Sequence, residues 1–194
     1  MLGLVCSIFV LTAFFVTLCL SASAAWSDLK RMQIENNISV VIAISYMVAW
    51  LADMFVFTEM ELFGAWWSGF AAGLIMFVLT FLMFTRGMLG GGDSKLASAL
   101  ALWVGLKGLL AFIYYMSIVG GLLALIAVIN KRKPLPDTFA KRLGEDSWPA
   151  ALLKKKNALP YGIAIFLGCV GAFIYTGLAK KLIYLPALVF VAHP

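Results

Sequence analysis

Few residues in this chain can do acid–base or nucleophilic chemistry. There is one histidine, His193, and there are three cysteines, Cys6, Cys19 and Cys169, each in an apolar run with no CxxC pair. A structural zinc site needs about four ligands, so no metal site is expected, and the cysteines read as reduced thiols packed as small hydrophobes. That leaves nine carboxylates. Asp93 has a distinctive setting: it follows Gly90-Gly91-Gly92, and Lys95 comes two residues later. Three glycines cost backbone entropy. They are worthwhile where the chain needs positive φ or where another backbone must come close. A peptidase needs that approach, because a substrate strand lies beside its catalytic acid. A flexible turn with Asp93 as the N-cap of a helix accounts for the same residues, and this stretch alone does not choose between the two.

The surroundings of those acids are set by composition. Of 194 residues, 63% are hydrophobic and 12% charged, and mean hydropathy is +1.00. Soluble domains carry about 25% charged residues. A soluble enzyme, a nucleic-acid-binding domain and a disordered chain are therefore excluded, and the expectation is one membrane-embedded domain over 1–194. The net charge of +6 fits cytoplasmic loops facing anionic lipid, not a nucleic-acid partner.

A spanning helix needs about 20 apolar residues, and lipid forces each long apolar run to be helical. The runs are Leu2–Ala25, Ile38–Phe57, Leu62–Thr85, Leu96–Asn130 and Pro160–Ala179. The fourth is too long for one helix. Gly105-Leu106-Lys107-Gly108 interrupts it, which predicts two helices over 96–106 and 109–130. The fold class expected is all-α integral membrane, with about six transmembrane helices. The tail Leu182–Ala192 is apolar but short, and is expected in the interface or against the bundle. The first run ends in Ser21-Ala22-Ser23-Ala24, but no Lys or Arg precedes it. It is read as a retained helix, not as a signal peptide.

Basic residues set the orientation. With the N-terminus outside, Lys30, Arg31, Arg86, Lys95, Lys131, Arg132, Lys133, Lys141, Arg142, Lys154, Lys155 and Lys156 all lie inside. Only Lys107, Lys180 and Lys181 lie outside. This topology puts Asp28 a turn past the first helix and Asp93 at the mouth of the fourth, both on the inner side. Glu59, Glu61 and Asp53 fall at the outer side, where solvation at the interface accounts for them. Loop 131–159, with eight basic residues, is expected on anionic lipid.

Three stretches together resemble the prepilin peptidases, membrane aspartic peptidases with a GxGD motif. They are Ser27-Asp28-Leu29-Lys30-Arg31-Met32-Gln33-Ile34-Glu35-Asn36, then Gly90-Gly91-Gly92-Asp93-Ser94-Lys95-Leu96 with Ala99–Gly105 behind it, and then Leu159-Pro160-Tyr161-Gly162-Ile163-Ala164-Ile165. Order and spacing agree over residues 1–180, and the chain is most similar to the short subgroup serving Flp-type (tight-adherence) pili. The resemblance implies a GxGD peptidase-like bundle in the bacterial inner membrane. It implies a prepilin substrate whose short basic leader is cut at the cytoplasmic face. It also implies Asp28 and Asp93 as the catalytic pair, Gly90, Gly92 and Lys95 in the catalytic loop, and Lys30, Pro160, Tyr161 and Gly162 as supporting motif residues. No cofactor is implied. The family's usual Ile-Pro-Asn is here Ile34-Glu35-Asn36, which places a third acid nearby. Long members carry a domain with paired CxxC motifs and N-methylate their product; with neither that domain nor a cofactor fold, methyl transfer is not expected.

The chemistry of such a pair is specific. One carboxylate takes a proton from water as it attacks the amide, while the other donates to the carbonyl oxygen. Like charges about 3 Å apart resist double ionisation, so the pair holds one proton near neutrality. Two alternatives stand beside this reading. A small transporter needs ionisable residues inside several helices, and the helix centres are nearly free of charge. A non-catalytic assembly factor would have no use for both Asp28 and Asp93.

Overall fold

The computed structural model describes residues 2–56, 62–132, 147–153 and 159–192. Among them there are seven helices and no strand: α1 (Leu2–Arg31), α2 (Asn36–Val56), α3 (Ser68–Thr85), α4 (Gly91–Arg132), α5 (Trp148–Leu153), α6 (Tyr161–Thr176) and α7 (Leu178–Ala192). The expected acids Glu59 and Glu61 lie outside the described residues, as does most of the basic loop 131–159. By length and apolarity, α1, α2, α3 and α4 can each cross a membrane, and α6 and α7 together are long and apolar enough for a broken span or a re-entrant loop. Large side chains on α3, among them Leu74, Phe77, Phe81 and Phe84, are 44–64% exposed. In water such a face would drive aggregation; in a bilayer it is solvated by lipid.

α1 continues past the expected end at Ala25 and carries Asp28 inside its last turn, not beyond it. It stops at Met32, whose φ of 53° breaks the helix while its N–H still donates to Asp28 O at 2.8 Å. Lys30 and Arg31 complement the negative helix end. α3 begins six residues later than the apolar run suggests, at Ser68. The intervening turn is tied down by Asp53, whose two carboxylate oxygens accept the N–H groups of Leu62 and Phe63 at 3.2 and 3.4 Å. Asp53 is therefore a buried turn anchor, not a solvated interfacial acid.

α4 spans 42 residues, but Gly105 inside it is non-helical, so it consists of two helices that meet at a kink, as the glycines at 105 and 108 predict. A straight helix of that length would measure about 63 Å, twice the hydrocarbon thickness of about 30 Å. It does not run straight. Gly105 sits at φ 65°, ψ 176°, a region only glycine occupies comfortably. Before the break, Ser94 pairs with Thr80 at 2.8 Å, and Gly73 lies against Ser98 and Leu102, so this arm runs antiparallel to α3. After it, Gly108 lies against Ala172 and Thr176, and Gly120 against Tyr161 and Ala164, so the second arm runs antiparallel to α6. The expected fourth and fifth helices exist as these two arms. The break is compensated where it occurs: Leu106 N–H donates to Ser68 Oγ at 3.0 Å.

An aromatic cluster ties the end of the first arm to α1, α2 and the turn before α3. Trp103, 1% exposed, meets Phe14, Tyr46 and Phe63 at 5.7–5.9 Å between ring centroids and donates to Ile42 O at 3.2 Å. Trp26 and Trp66 stay exposed, as a belt requires. At Gly177 (φ 69°) the chain bends by 71° into α7, and Leu182 and Leu185 are fully buried. The first turns of the tail therefore pack on the bundle. α5 falls within the segment expected on lipid, yet Trp148, Ala150, Ala151 and Leu152 are buried, and Asn130 Nδ2 donates to Leu152 O at 3.3 Å. Cys169 is buried and Cys19 exposed on the apolar surface.

Gly105→Ala places a side chain at a positive φ costing about 1–3 kcal/mol. Thermal unfolding in detergent should show a clear drop in Tm for this variant and a smaller drop for Ser68→Ala, whose lost hydrogen bond costs about 1 kcal/mol of stability.

Candidate active site

One end of the bundle gathers the termini of four helices: the end of α1, the start of α2, the start of α4 and the start of α6. A helix start leaves N–H groups without intrahelical partners and carries positive partial charge. A carboxylate in an apolar bundle needs such donors, because an unpaired one pays the full cost of leaving water.

Asp28 finds its donor on α6. Its Oδ2 accepts the Gly162 N–H at 2.7 Å, and the side chain is 5% exposed. The local sequence arranges this. Pro160 occupies the N-cap position of α6 and contributes no N–H of its own. Gly162 has no side chain, and a Cβ there would lie 3.0 Å from both Asp28 Cβ and Oδ2. Tyr161 packs against Gly120 on the second arm of α4.

Asp93 is the third residue of α4 and is satisfied by its own loop. Its Oδ2 accepts the Gly90 N–H at 3.2 Å, and Ser94 N–H returns to Gly90 O at 3.1 Å. Asp93 thus caps its own helix start and is also one of the two gathered acids. A Cβ at Gly90 would sit 2.7 Å from Asp93 Oδ2, and one at Gly92 would sit 3.1 Å from Ile34 O. What these glycines supply is space rather than positive φ, since neither has it. At Gly92 the chain that comes close is the protein's own α1–α2 connection.

The two carboxylates are near enough for Asp28 to act electrostatically on Asp93. Asp93 Oδ1 is buried with no hydrogen-bond partner among the described residues. Two acids gathered at one end of the bundle, each with one oxygen fixed by a backbone N–H, supply the groups that acid–base chemistry on a water and an amide requires.

The other expected residues divide. Pro160, Tyr161 and Gly162 lie at the site. Lys95 does not reach either acid; its Nζ donates to Asn36 Oδ1 at 2.9 Å. Lys30 stands over the Trp26 ring at 4.8 Å. Glu35 is exposed, and its C=O accepts Ile38 N–H at 3.2 Å at the start of α2. Asp53 is at the opposite end of α2. Two further residues join the site that were not expected there, although Ile34 lies in a stretch that carries the resemblance. Ile34 fixes the approach to Gly92, and Thr80 ties the Ser94 hydroxyl beside Asp93 to α3. Their apolar or small polar character does not set them apart from their neighbours.

An all-helical membrane bundle with two acids at the ends of its first and fourth helices describes a class of intramembrane proteins. The type IV leader peptidase family matches residues 6–125, more than half of the chain, and the chain belongs to that family. It is 26% identical over 151 residues to the prepilin leader peptidase/N-methyltransferase of Bacillus subtilis (strain 168), covering 78% of this chain and 50% of that protein. The chain thus spans about half the length of this curated relative. No solved structure matches it.

Gly162→Ala should displace the Asp28 carboxyl and lower peptide cleavage at least about tenfold, a loss of one hydrogen bond to a charged group. Gly121→Ala, whose Cβ meets nothing within 4 Å, should leave cleavage unchanged and raise Tm slightly. Equal activity in both variants would remove Gly162 from the site.

Proposed function

We propose that this protein is a membrane aspartic endopeptidase that removes the short basic leader of Flp-type prepilins. The observation that carries the reading is the convergence of Asp28 and Asp93, each with one oxygen on a glycine N–H, at one end of the bundle. The family match supports a leader peptidase, and the prepilin substrate follows from the relative's function. Asp28 and Asp93 are the catalytic pair. Gly90, Gly92 and Gly162 are positioning residues that admit the backbone and the carboxyls to one another. Lys95 and Lys30 take no part in proton transfer.

The distribution of basic residues supports an inner-membrane protein with its N-terminus outside and its active site on the cytoplasmic side. Lys30, Arg31, Arg86 and Lys95 all lie near the end that holds the two acids. The basic segment around 131–159 is proposed to rest on anionic lipid. The substrate would present its leader in the cytoplasm and its apolar helix in the bilayer, with the scissile bond extended at the membrane edge. An extended strand is needed because a helix hides its amides in i→i−4 bonds.

Co-expression with an Flp-type prepilin, read by mass spectrometry of the product, tests the proposal. Wild type should yield the mature N-terminus. Asp28→Asn and Asp93→Asn should each reduce processing below detection while the protein still inserts and keeps its unfolding free energy within about 1 kcal/mol of wild type. Asp53→Asn should lower Tm through the 62–63 turn and retain processing. Processing by either Asp28→Asn or Asp93→Asn contradicts the assignment.

A further inference from the structure

Asp28 and Asp93 are held by different parts of the chain. Asp28 is fixed to α6 through the Gly162 N–H, whereas Asp93 is bonded to Gly90 of its own loop. That second bond orients the carboxyl within the start of α4. It does not place the start of α4 in the bundle. The segment leading into α4 is poorly suited to do so: residues 84–88 are exposed, Gly87 has a φ of 69°, and Gly90-Gly91-Gly92 follow.

The first turn of α4 is held from its sides instead. Consecutive helix residues point about 100° apart, so Gly92, Asp93 and Ser94 face three ways. Gly92 lies against Ile34, whose carbonyl oxygen would be 3.1 Å from a Cβ there. Lys95, one turn on, donates to Asn36 Oδ1 at 2.9 Å, so this face meets the α1–α2 connection and the start of α2. Ser94 faces α3, where its hydroxyl meets Thr80 Oγ1 at 2.8 Å. With Gly92 and Ser94 each set against a neighbour, the direction of Asp93 between them is determined.

The tie to α3 is the buried one: Thr80 is 2% exposed and Ser94 4%. Thr80 Oγ1 also lies 2.7 Å from Met76 O. A hydroxyl has one proton and a carbonyl oxygen none. Both contacts are therefore made when Ser94 donates to Thr80 and Thr80 donates to Met76 O. Among the described residues, α3 and α4 exchange hydrogen bonds at two places. Ser68 ties the corner at Gly105, and Thr80 ties the end that holds Asp93.

We infer that Thr80 and Ser94 are positioning residues for peptide cleavage: their hydrogen bond fixes the rotation of the first turn of α4, and with it the direction in which Asp93 faces Asp28. This rests on the peptidase reading above. Both hydroxyls are buried between α3 and α4, so they act through Asp93 and do not touch the substrate. Without the bond, the first turn is free to rotate and the Asp93 carboxyl leaves the geometry that attack on an amide needs. Small displacements of a reacting group are costly in rate.

Thr80→Val keeps the shape of the side chain and removes the hydroxyl. Steady-state cleavage of prepilin in lipid vesicles, at a temperature where each variant is folded, tests the role. For Thr80→Val, kcat should fall about tenfold or more while KM stays within about twofold of wild type. Ser94→Ala, the smaller change, should do the same, and it tests the same bond where Thr80→Val does not accumulate. The double variant should be no slower than either single one. Thr80→Ser, which retains a hydroxyl, should keep most of the wild-type kcat. Ser68→Ala removes the other tie between the same helices and should leave kcat at the wild-type level despite its lower Tm. Wild-type kcat in Ser94→Ala, a loss confined to KM, losses that multiply in the double variant, or an equal fall of kcat in Ser68→Ala would each overturn the positioning role while wild-type cleavage continued. Absence of cleavage by wild type would overturn the peptidase reading and this role with it.

Discussion

A carboxylate placed among apolar helices must be held by donors, and in this bundle the donors are backbone N–H groups at helix starts. Gly162 supplies one to Asp28 from α6, and Gly90 supplies one to Asp93 from the turn before α4. Each donor can come close only because it has no side chain in the way. The rest of the architecture follows from bringing those two helix starts to the end of α1. α6 must begin where α1 finishes, and α4 must begin beside both.

The fold-back at Gly105 makes this possible in so short a chain. The first arm of α4 carries the chain away from Asp93 along α3, and the second returns along α6 to the same end. The reversal is rigid for identifiable reasons. Gly105 accepts the unusual dihedrals, Ser68 takes the N–H that the broken ladder frees, and Trp103, two residues earlier, anchors the corner in an aromatic cluster. Asp53 stabilises the neighbouring turn at that end. The acid that lies furthest inside an apolar run thus serves the scaffold, and the two at helix ends form the candidate site.

Much of this architecture is legible in the amino-acid pattern. Lipid requires long apolar helices, so the positions of α1, α2, α3 and α6 follow from hydropathy, and the glycines at 105 and 108 mark the break in α4. Helix ends are less legible. Polar residues continue α1 through Asp28 to Arg31 because a helix does not stop where the bilayer does. The turn before α3 reads as apolar because its anchor, Asp53, is remote in sequence. The burial of Trp148 is hidden in a basic segment that reads as solvated. At the site, Asp28 and Asp93 stand out by type and setting. The donor to Asp28 lies 134 residues away, so only the resemblance points to Gly162. Lys95 and Lys30 are near the acids in sequence, yet their side chains turn to Asn36 and Trp26 instead.

The central claim is that Asp28 and Asp93 act as one unit that shares a proton, and non-additivity measures this directly. Leader cleavage rates should be compared for Asp28→Asn, Asp93→Asn and the double variant, with purified protein in lipid vesicles. Groups that work as a unit lose nearly everything at the first removal. The account predicts that the double variant is no slower than either single one. Losses that multiply, with each single variant retaining partial activity, would show two independent contributions and contradict a shared-proton pair.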